Sequence, residues 1–406
     1  MRRRVVITGC GVVSAAGTEL DRFWDELIAG RCFLRPMQHF SAPGVDGLVG
    51  GEVELTSADG LSEDVDTDAR RSRCCHLALA AAGRAVGDAA LPDRADERER
   101  MGAVVGTTMG EERQVSDLDD SWTARGADSI DARFIVRADN HRVAASLARR
   151  HRLGGPVMVS ATACSSGNAA LAWAFDAVAL GAADAMLAGG ADTFTRCVVG
   201  GFQRMGALSK SICRPFDKRR DGVSFGEGAG MVVLEELEHA LRRGARIYGE
   251  LAGYGISNDA YHITAPEPNG DGFTRAMRQA LATTETEPRQ VDYVSAHGTG
   301  TPYNDVAETR AMKAVFGDRA GQVPISSIKS MLGHTNGAAS AIEAVACALA
   351  IVHQAVPPTA NLEEPDPQCD LDYVPGRGRA MQVSTCLNLS AGFGGFNVCL
   401  VLKRIP

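Results

Sequence analysis

The chain has 406 residues, 45% of them apolar and 23% charged, and a formal net charge of −8. Such values suit a globular protein and argue against a broad nucleic-acid or anionic-membrane footprint. Eleven cysteines lie scattered with no C-x-x-C pair, which argues against a disulfide framework or a zinc site and leads us to expect reduced thiols in a cytoplasm.

Met1-Arg2-Arg3-Arg4 runs straight into Val5–Gly17, which reads as a first strand and a glycine turn, not as a secretory leader. Glu19–Ala29 is an amphipathic helix. Gly9-Cys10-Gly11 invites a dinucleotide-binding oxidoreductase reading. Ser14 stands where a third glycine belongs, however, and no acidic residue closes a second strand about 20 residues on. Phe40–Ser62 reads as a loop or small subdomain, Asp66–Asp88 as a helix with a basic start, and Met101–Met109 as a strand with a glycine turn. Glu111–Ala132 reads as a polar surface excursion, and 133–150 holds another helix.

Next comes Pro156–Leu180: a short β-like run, the small-residue turn Ser160-Ala161-Thr162-Ala163-Cys164-Ser165-Ser166-Gly167, and an Ala-rich segment apolar on nearly every face. A helix apolar all round is a buried one. At its N-terminus Cys164 should have a lowered thiol pKa, because free N–H groups favour the thiolate. The bland alternative is a buried structural thiol. Asp184–Asp192 is a buried strand, Arg214-Pro215-Phe216-Asp217 and a turn punctuated by Gly222, Gly226 and Gly228 lead to the strand Ala229–Glu235, and Leu237–Arg243 is a short helix.

The pattern then restarts. Glu250–Asn258 repeats the opening strand with Gly253-Tyr254-Gly255. Phe273–Thr283 is a helix, Val291–Ser295 and Val323–Ile325 are strands, and Asn336–Val352 is a second buried Ala-rich helix. Cys386–Leu389 and Asn397–Lys403 form a last hairpin. Two βαβα halves imply an internal duplication. Three stations in this half carry chemistry. His297-Gly298-Thr299-Gly300-Thr301 sets a histidine and two hydroxyls in a glycine turn. Lys329–His334 precedes the second central helix, where Glu343 needs a partner inside an apolar face, with Lys329 the candidate. Gly392-Phe393-Gly394-Gly395 presents one bulky side chain on a glycine loop. Each alone also reads blandly, as a solvated loop, a capping turn or a tight hairpin.

Together, in this order, the motifs around Cys164, His297, Lys329, His334 and Phe393 resemble the β-ketoacyl-acyl carrier protein synthases over essentially the whole chain. These are condensing enzymes of the thiolase-like superfamily. The resemblance implies an α/β, thiolase-like fold whose two duplicated halves, 1–245 with the nucleophile cysteine and 246–406 with the histidines, form a five-layer αβαβα sandwich. It implies decarboxylative Claisen condensation of an acyl thioester with a malonyl-carrier through acyl-Cys164, in fatty acid or type II polyketide biosynthesis. His297 and His334 are then the catalytic pair of the elongating branch, Lys329 with Glu343 sets the field, and Phe393 gates.

The resemblance further implies substrate contacts at Thr299, Thr301, Phe225, Phe396, Met109 and Phe134. An acyl carrier protein would dock at Arg70, Arg71, Arg73 and Lys210. The partner would be a second copy or a chain-length-factor-like subunit, with neither nucleic acid nor membrane involved. No metal, nucleotide or redox cofactor is needed, since the substrates ride on phosphopantetheine. Phe396 and the Ala391-Gly392 pair depart from the family pattern, so the usual fatty-acid substrate is not assured. Cys164 argues against a catalytically silent subunit.

Overall fold

Buried apolar runs, broken by glycine where another element crosses, make the strands of this protein. The computed structural model describes residues 2–38, 40, 47–55, 72–92, 94–132, 134 and 138–405. Its main strands are β1 (Val5–Val13), β2 (Met101–Gly106), β3 (Val157–Ser160), β4 (Ala185–Asp192), β5 (Gly228–Glu236), β6 (Gly249–Asn258), β7 (Tyr293–Ser295), β8 (Ile325–Ser326), β9 (Thr385–Gly392) and β10 (Phe396–Lys403). They lie in the order β8-β7-β9-β10-β6-β1-β5-β4-β2-β3.

Counted within β1–β5 and within β6–β10, that order is the same: third, second, fourth, fifth, first. In each set the fifth strand is antiparallel to both neighbours, while the second pairs in parallel with the third and fourth. The sets join edge to edge through a short antiparallel pairing, Val6 with Glu250 and Ile7 with Gly249.

The main helices are α1 (Leu20–Ile28), α2 (Arg73–Asp88), α3 (Glu112–Arg125), α4 (His141–His151), α5 (Ser166–Ala179), α6 (Arg196–Arg204), α7 (Asp271–Thr283), α8 (Pro302–Phe316) and α9 (Ala339–His353). Helices α2 and α4 cover one outer face, and α7, backed by α8, covers the other. Between the sheets α5 packs on β4 and β2 and reaches β10, while α9 packs on β5 and β9. This is the five-layer thiolase-like sandwich. Sheets on two sides explain why α5 and α9 are apolar all round. Residues 336–353, long and apolar enough to cross a membrane, are 89% buried inside the protein.

The glycine pairs of β1 and β6 have a packing cause. A methyl group at Gly9 or Gly11 would lie 2.3 or 2.0 Å from the carbonyl oxygens of Ala85 and Ala81 on α2. One at Gly255 would lie 2.1 Å from Ala276 O on α7. The Gly-x-Gly repeat lets each outer helix press on the first strand of its half, which replaces the dinucleotide reading.

Three helices differ from the sequence expectation, and the stretch after Phe40 contributes a short strand, Val49–Gly51, to a small separate sheet. The polar excursion after Glu111 is mostly helix, α3, none of whose residues is buried, so it lacks the apolar stripe that signals a helix. Helix α8 was missed because its buried face carries Asn304, Asp305, Glu308 and Thr309. Helix α6 was missed as well: it is short and buries only Val199.

Candidate active site

The turn after β3 is closed by its own small polar side chains. Ser165 Oγ donates to Thr162 O (2.7 Å), and Ser166 Oγ accepts from Thr162 N (2.8 Å) and donates to Ala163 O (2.6 Å). Ala163 adopts φ +50°, a left-handed conformation that costs energy for a residue with a Cβ. The result holds Cys164 just before α5, 8% exposed. Its thiol is not lowered as the sequence suggested. Burial pushes it up to about 12, with Lys329 pulling it down and Asp192 and Glu343 pushing it up. Ser165 caps α5 and Cys164 directly precedes it, but desolvation is the largest influence on the thiol and outweighs those that lower it.

His297 leaves β7 into a loop fixed by Glu308 of α8. Glu308 accepts the backbone N–H groups of His297 (2.7 Å) and Gly298 (2.8 Å), and burial raises its carboxyl to about 7. His334 follows Gly333 at φ +78°; it donates its N–H to Ser224 O (2.8 Å) and accepts from Gly226 N (3.0 Å). The two imidazoles meet edge to face at 5.6 Å. Nδ1 of each is buried with no hydrogen-bond partner among the described residues. Burial first, then the charge of Lys329, holds both histidines well below their ordinary value, so both are neutral at pH 7.

Lys329 and Glu343 form the ion pair that the sequence pattern required, each 1% exposed. Burial raises Glu343 to about 7 against the pull of Lys329. Asp192, at the end of β4, was not foreseen. It accepts Gly337 N (2.7 Å), Thr108 N (2.7 Å) and Thr107 Oγ1 (2.8 Å), tying β2 to the start of the second central helix.

Cys164, His297, His334, Thr299, Thr301 and Phe393 all line one narrow cavity of about 80 Å³. The hydroxyls of Thr299 and Thr301 are 2.9 Å apart. Phe393 stacks on Phe202 of α6 at 5.1 Å. Phe202 meets Phe225 edge to face at 4.9 Å, and Phe225 lies 6.3 Å from His334. Phe202 was missed together with its helix. The glycine turn is anchored rather than free: Gly394 N donates to Ile263 O, Asn258 Nδ2 to Gly394 O and Asp259 N to Gly395 O, each at 2.8 Å.

Other expected site residues lie elsewhere. Phe396 is 36% exposed and absent from the cavity wall, because strand alternation turns Asn397 inward in its place. Met109 and Phe134 line a separate groove beside α3. Arg73 is paired rather than free. It is held by buried Glu227, donating from Nε (2.7 Å) and Nη2 (2.5 Å), and by Val53 O. Lys210 is exposed, and Arg70 and Arg71 lie outside the described residues.

Family models agree with this geometry. Residues 2–240 match the beta-ketoacyl synthase N-terminal domain and residues 248–363 the C-terminal domain. A 3-oxoacyl-[acyl-carrier-protein] synthase 2 of Synechocystis is 42% identical, over 99% of this chain and 98% of the relative. The ishigamide ketosynthase/chain length factor structure matches with a TM-score of 0.95 and 41% identity, over 100% of both chains. A type II polyketide ketosynthase solved in complex with its acyl-carrier protein matches at 0.91 and 34%, again over 100% of both. With a paired sheet duplication, a cysteine and two histidines on one cavity, and family matches over both halves, this chain belongs to the β-ketoacyl synthase family, condensing enzymes of the acyltransferase type.

Proposed function

We propose that this protein joins an acyl group to a malonyl-derived unit, with both substrates delivered on the phosphopantetheine arm of an acyl carrier protein. Cys164 Sγ attacks the acyl thioester carbonyl while a neutral imidazole takes the thiol proton, which then passes to the departing carrier thiol. The backbone N–H groups of Cys164 and Phe393 hold the oxyanion. A malonyl-carrier follows, its arm bonded to Thr299 and Thr301. It loses CO₂, and the enolate oxygen is held by N–H groups of His297 and His334. The enolate carbon then attacks the acyl group and Cys164 leaves as thiolate, which takes a proton from solvent to restore the resting thiol. Lys329 with Glu343 keeps the imidazoles neutral and so able to donate.

One observation carries this reading: a thiol and two imidazoles kept neutral by burial open on the same cavity. The test is intact-mass analysis after incubation with an acyl-carrier. Acylation of the wild type, its loss in Cys164→Ala, and conversion of the acyl-enzyme to a 3-oxoacyl product by a malonyl-carrier are expected. Acylation that persists in Cys164→Ala would overturn it.

The repeated strand order supports dividing the chain at 1–245 and 246–406. Among the described residues no strand neighbours the outer edge of β3, which supports pairing with a second copy or a chain-length-factor-like subunit. Free thiols throughout support a cytoplasmic setting.

A further inference from the structure

Asp192, fully buried at the end of β4, lies between two segments that carry the chemistry. Its Oδ2 accepts the N–H groups of Thr108 and Gly337, both at 2.7 Å. Its Oδ1 accepts from Thr107 Oγ1 (2.8 Å), Met109 N (3.1 Å) and Gly110 N (3.3 Å). Every one of these groups donates, which is the surrounding of an ionised carboxylate. Among the described residues no cation pairs with it, so N–H and O–H dipoles alone hold the charge. A buried anion without a counter-ion is costly, and its neighbours show what it holds together.

One path from Asp192 leads to the nucleophile. Thr107 donates its N–H to Ser160 O (3.0 Å) and accepts from Ser166 Oγ at its carbonyl (3.3 Å), and Ser166 Oγ closes the Cys164 turn. The other path leads through Gly337, just after His334, to the start of α9. Glycines clear this joint. A methyl group at Gly337 would lie 2.7 Å from both Asp192 Oδ2 and Thr108 N, and one at Gly190 would lie 2.5 Å from Gly337 O.

We infer that Asp192 is a positioning residue whose carboxylate clamps the Cys164 turn to the His334 segment, and so sets the thiol against the imidazole. The inference rests on the condensing reading of the site. The same carboxylate stands near enough to Cys164 for its charge to oppose the thiolate, together with Glu343 and against Lys329. Removing the charge and parting the joint therefore have different signatures.

Asp192→Asn keeps the shape, removes the charge and turns an amide N–H toward groups that are themselves donors. Gly337→Ala keeps the charge and parts the joint. In both, kcat for condensation should fall about 100-fold while KM for the malonyl-carrier stays within about threefold of wild type. Iodoacetamide labelling of Cys164 from pH 7 to 10 should separate them. In Asp192→Asn it should be about fivefold faster at every pH, still rising about tenfold per unit; in Gly337→Ala it should stay within about twofold of wild type. A kcat within about fivefold of wild type in Gly337→Ala, or an unchanged labelling rate in Asp192→Asn, would overturn the assignment. So would labelling of Asp192→Asn that levels off near an ordinary thiol value of about 8.5, the mark of a turn that has merely unfolded. If Asp192→Asn does not fold, Gly337→Ala decides alone. Failure of the wild type to be acylated by an acyl-carrier would instead overturn the condensing reading beneath it.

Discussion

Gly392 presses against the main chain of the nucleophile: a methyl group there would lie 3.1 Å from Cys164 N and 2.7 Å from Thr162 O. This brings the Phe393 loop of the second half onto the cysteine turn of the first, beside one of the two N–H groups proposed to hold the oxyanion. Gly392→Ala should separate loop from turn. Loss of one oxyanion donor is worth about 10²-fold in rate, so acylation of Cys164 should slow by about that factor. Stopped acylation assays with an unchanged melting temperature would separate this from unfolding; a rate within fivefold of wild type would refute it.

Because burial sets the Cys164 thiol near 12, its alkylation should keep accelerating with pH. Peptide-resolved labelling by iodoacetamide from pH 7 to 10 should rise about tenfold per unit. Cys32 and Cys197, both exposed, should label faster at neutral pH. A plateau for Cys164 below pH 8.5 would mean that the thiolate is already formed at rest.

Glu308 has a folded value of about 7, above the ordinary 4.5 of a carboxyl. The native state therefore holds the proton that the unfolded state releases, and the stability it contributes is full below pH 4.5 and lost as pH rises through 7. Against the non-titrating Glu308→Gln, the wild-type melting temperature should fall between pH 5 and 7. A difference flat with pH would place Glu308 in a solvated setting. The same variant loses one of two acceptors for the His297 loop, so kcat should drop about tenfold.

Phe202→Ala removes the ring on which Phe393 stacks. Malonyl-carrier decarboxylation by unacylated enzyme should then rise relative to that by acyl-enzyme, since the closed loop position is no longer held. Phe396→Thr, at an exposed site, should leave acyl preference and kcat/KM within about twofold. A changed preference would show that Phe396 does reach the substrate.

Val157, 44% exposed on the edge strand β3, gives a direct handle on assembly. Light scattering should report a dimer for the wild type, with its own copy or with a partner subunit, and Val157→Asp should shift it toward monomer. An active wild-type monomer would refute pairing through this edge.

The linear chain carried much of this. Cys164, His297, His334 and Phe393 each sit beside glycines and small residues, because substrates need close backbone approach. Buried helices betrayed themselves by lacking a polar face, and the lone acid in one of them, Glu343, announced Lys329. What stayed hidden is what depends on crossings between distant segments. Gly9 and Gly11 look like a phosphate loop until α2 is seen lying on them. Arg73 looks like a free cation until Glu227 closes on it. Phe396 and Asn397 exchange roles by a single step of strand register. Asp192 and Phe202 bear no local mark at all, since each acts on backbone or rings far away in sequence, and Glu308 reads as a surface acid of a helix until that helix is seen folded back on the His297 turn. The pKa of Cys164 illustrates the division best: its place before a helix could be read from the chain, but the desolvation that reverses the expected shift comes only from the layers packed around it.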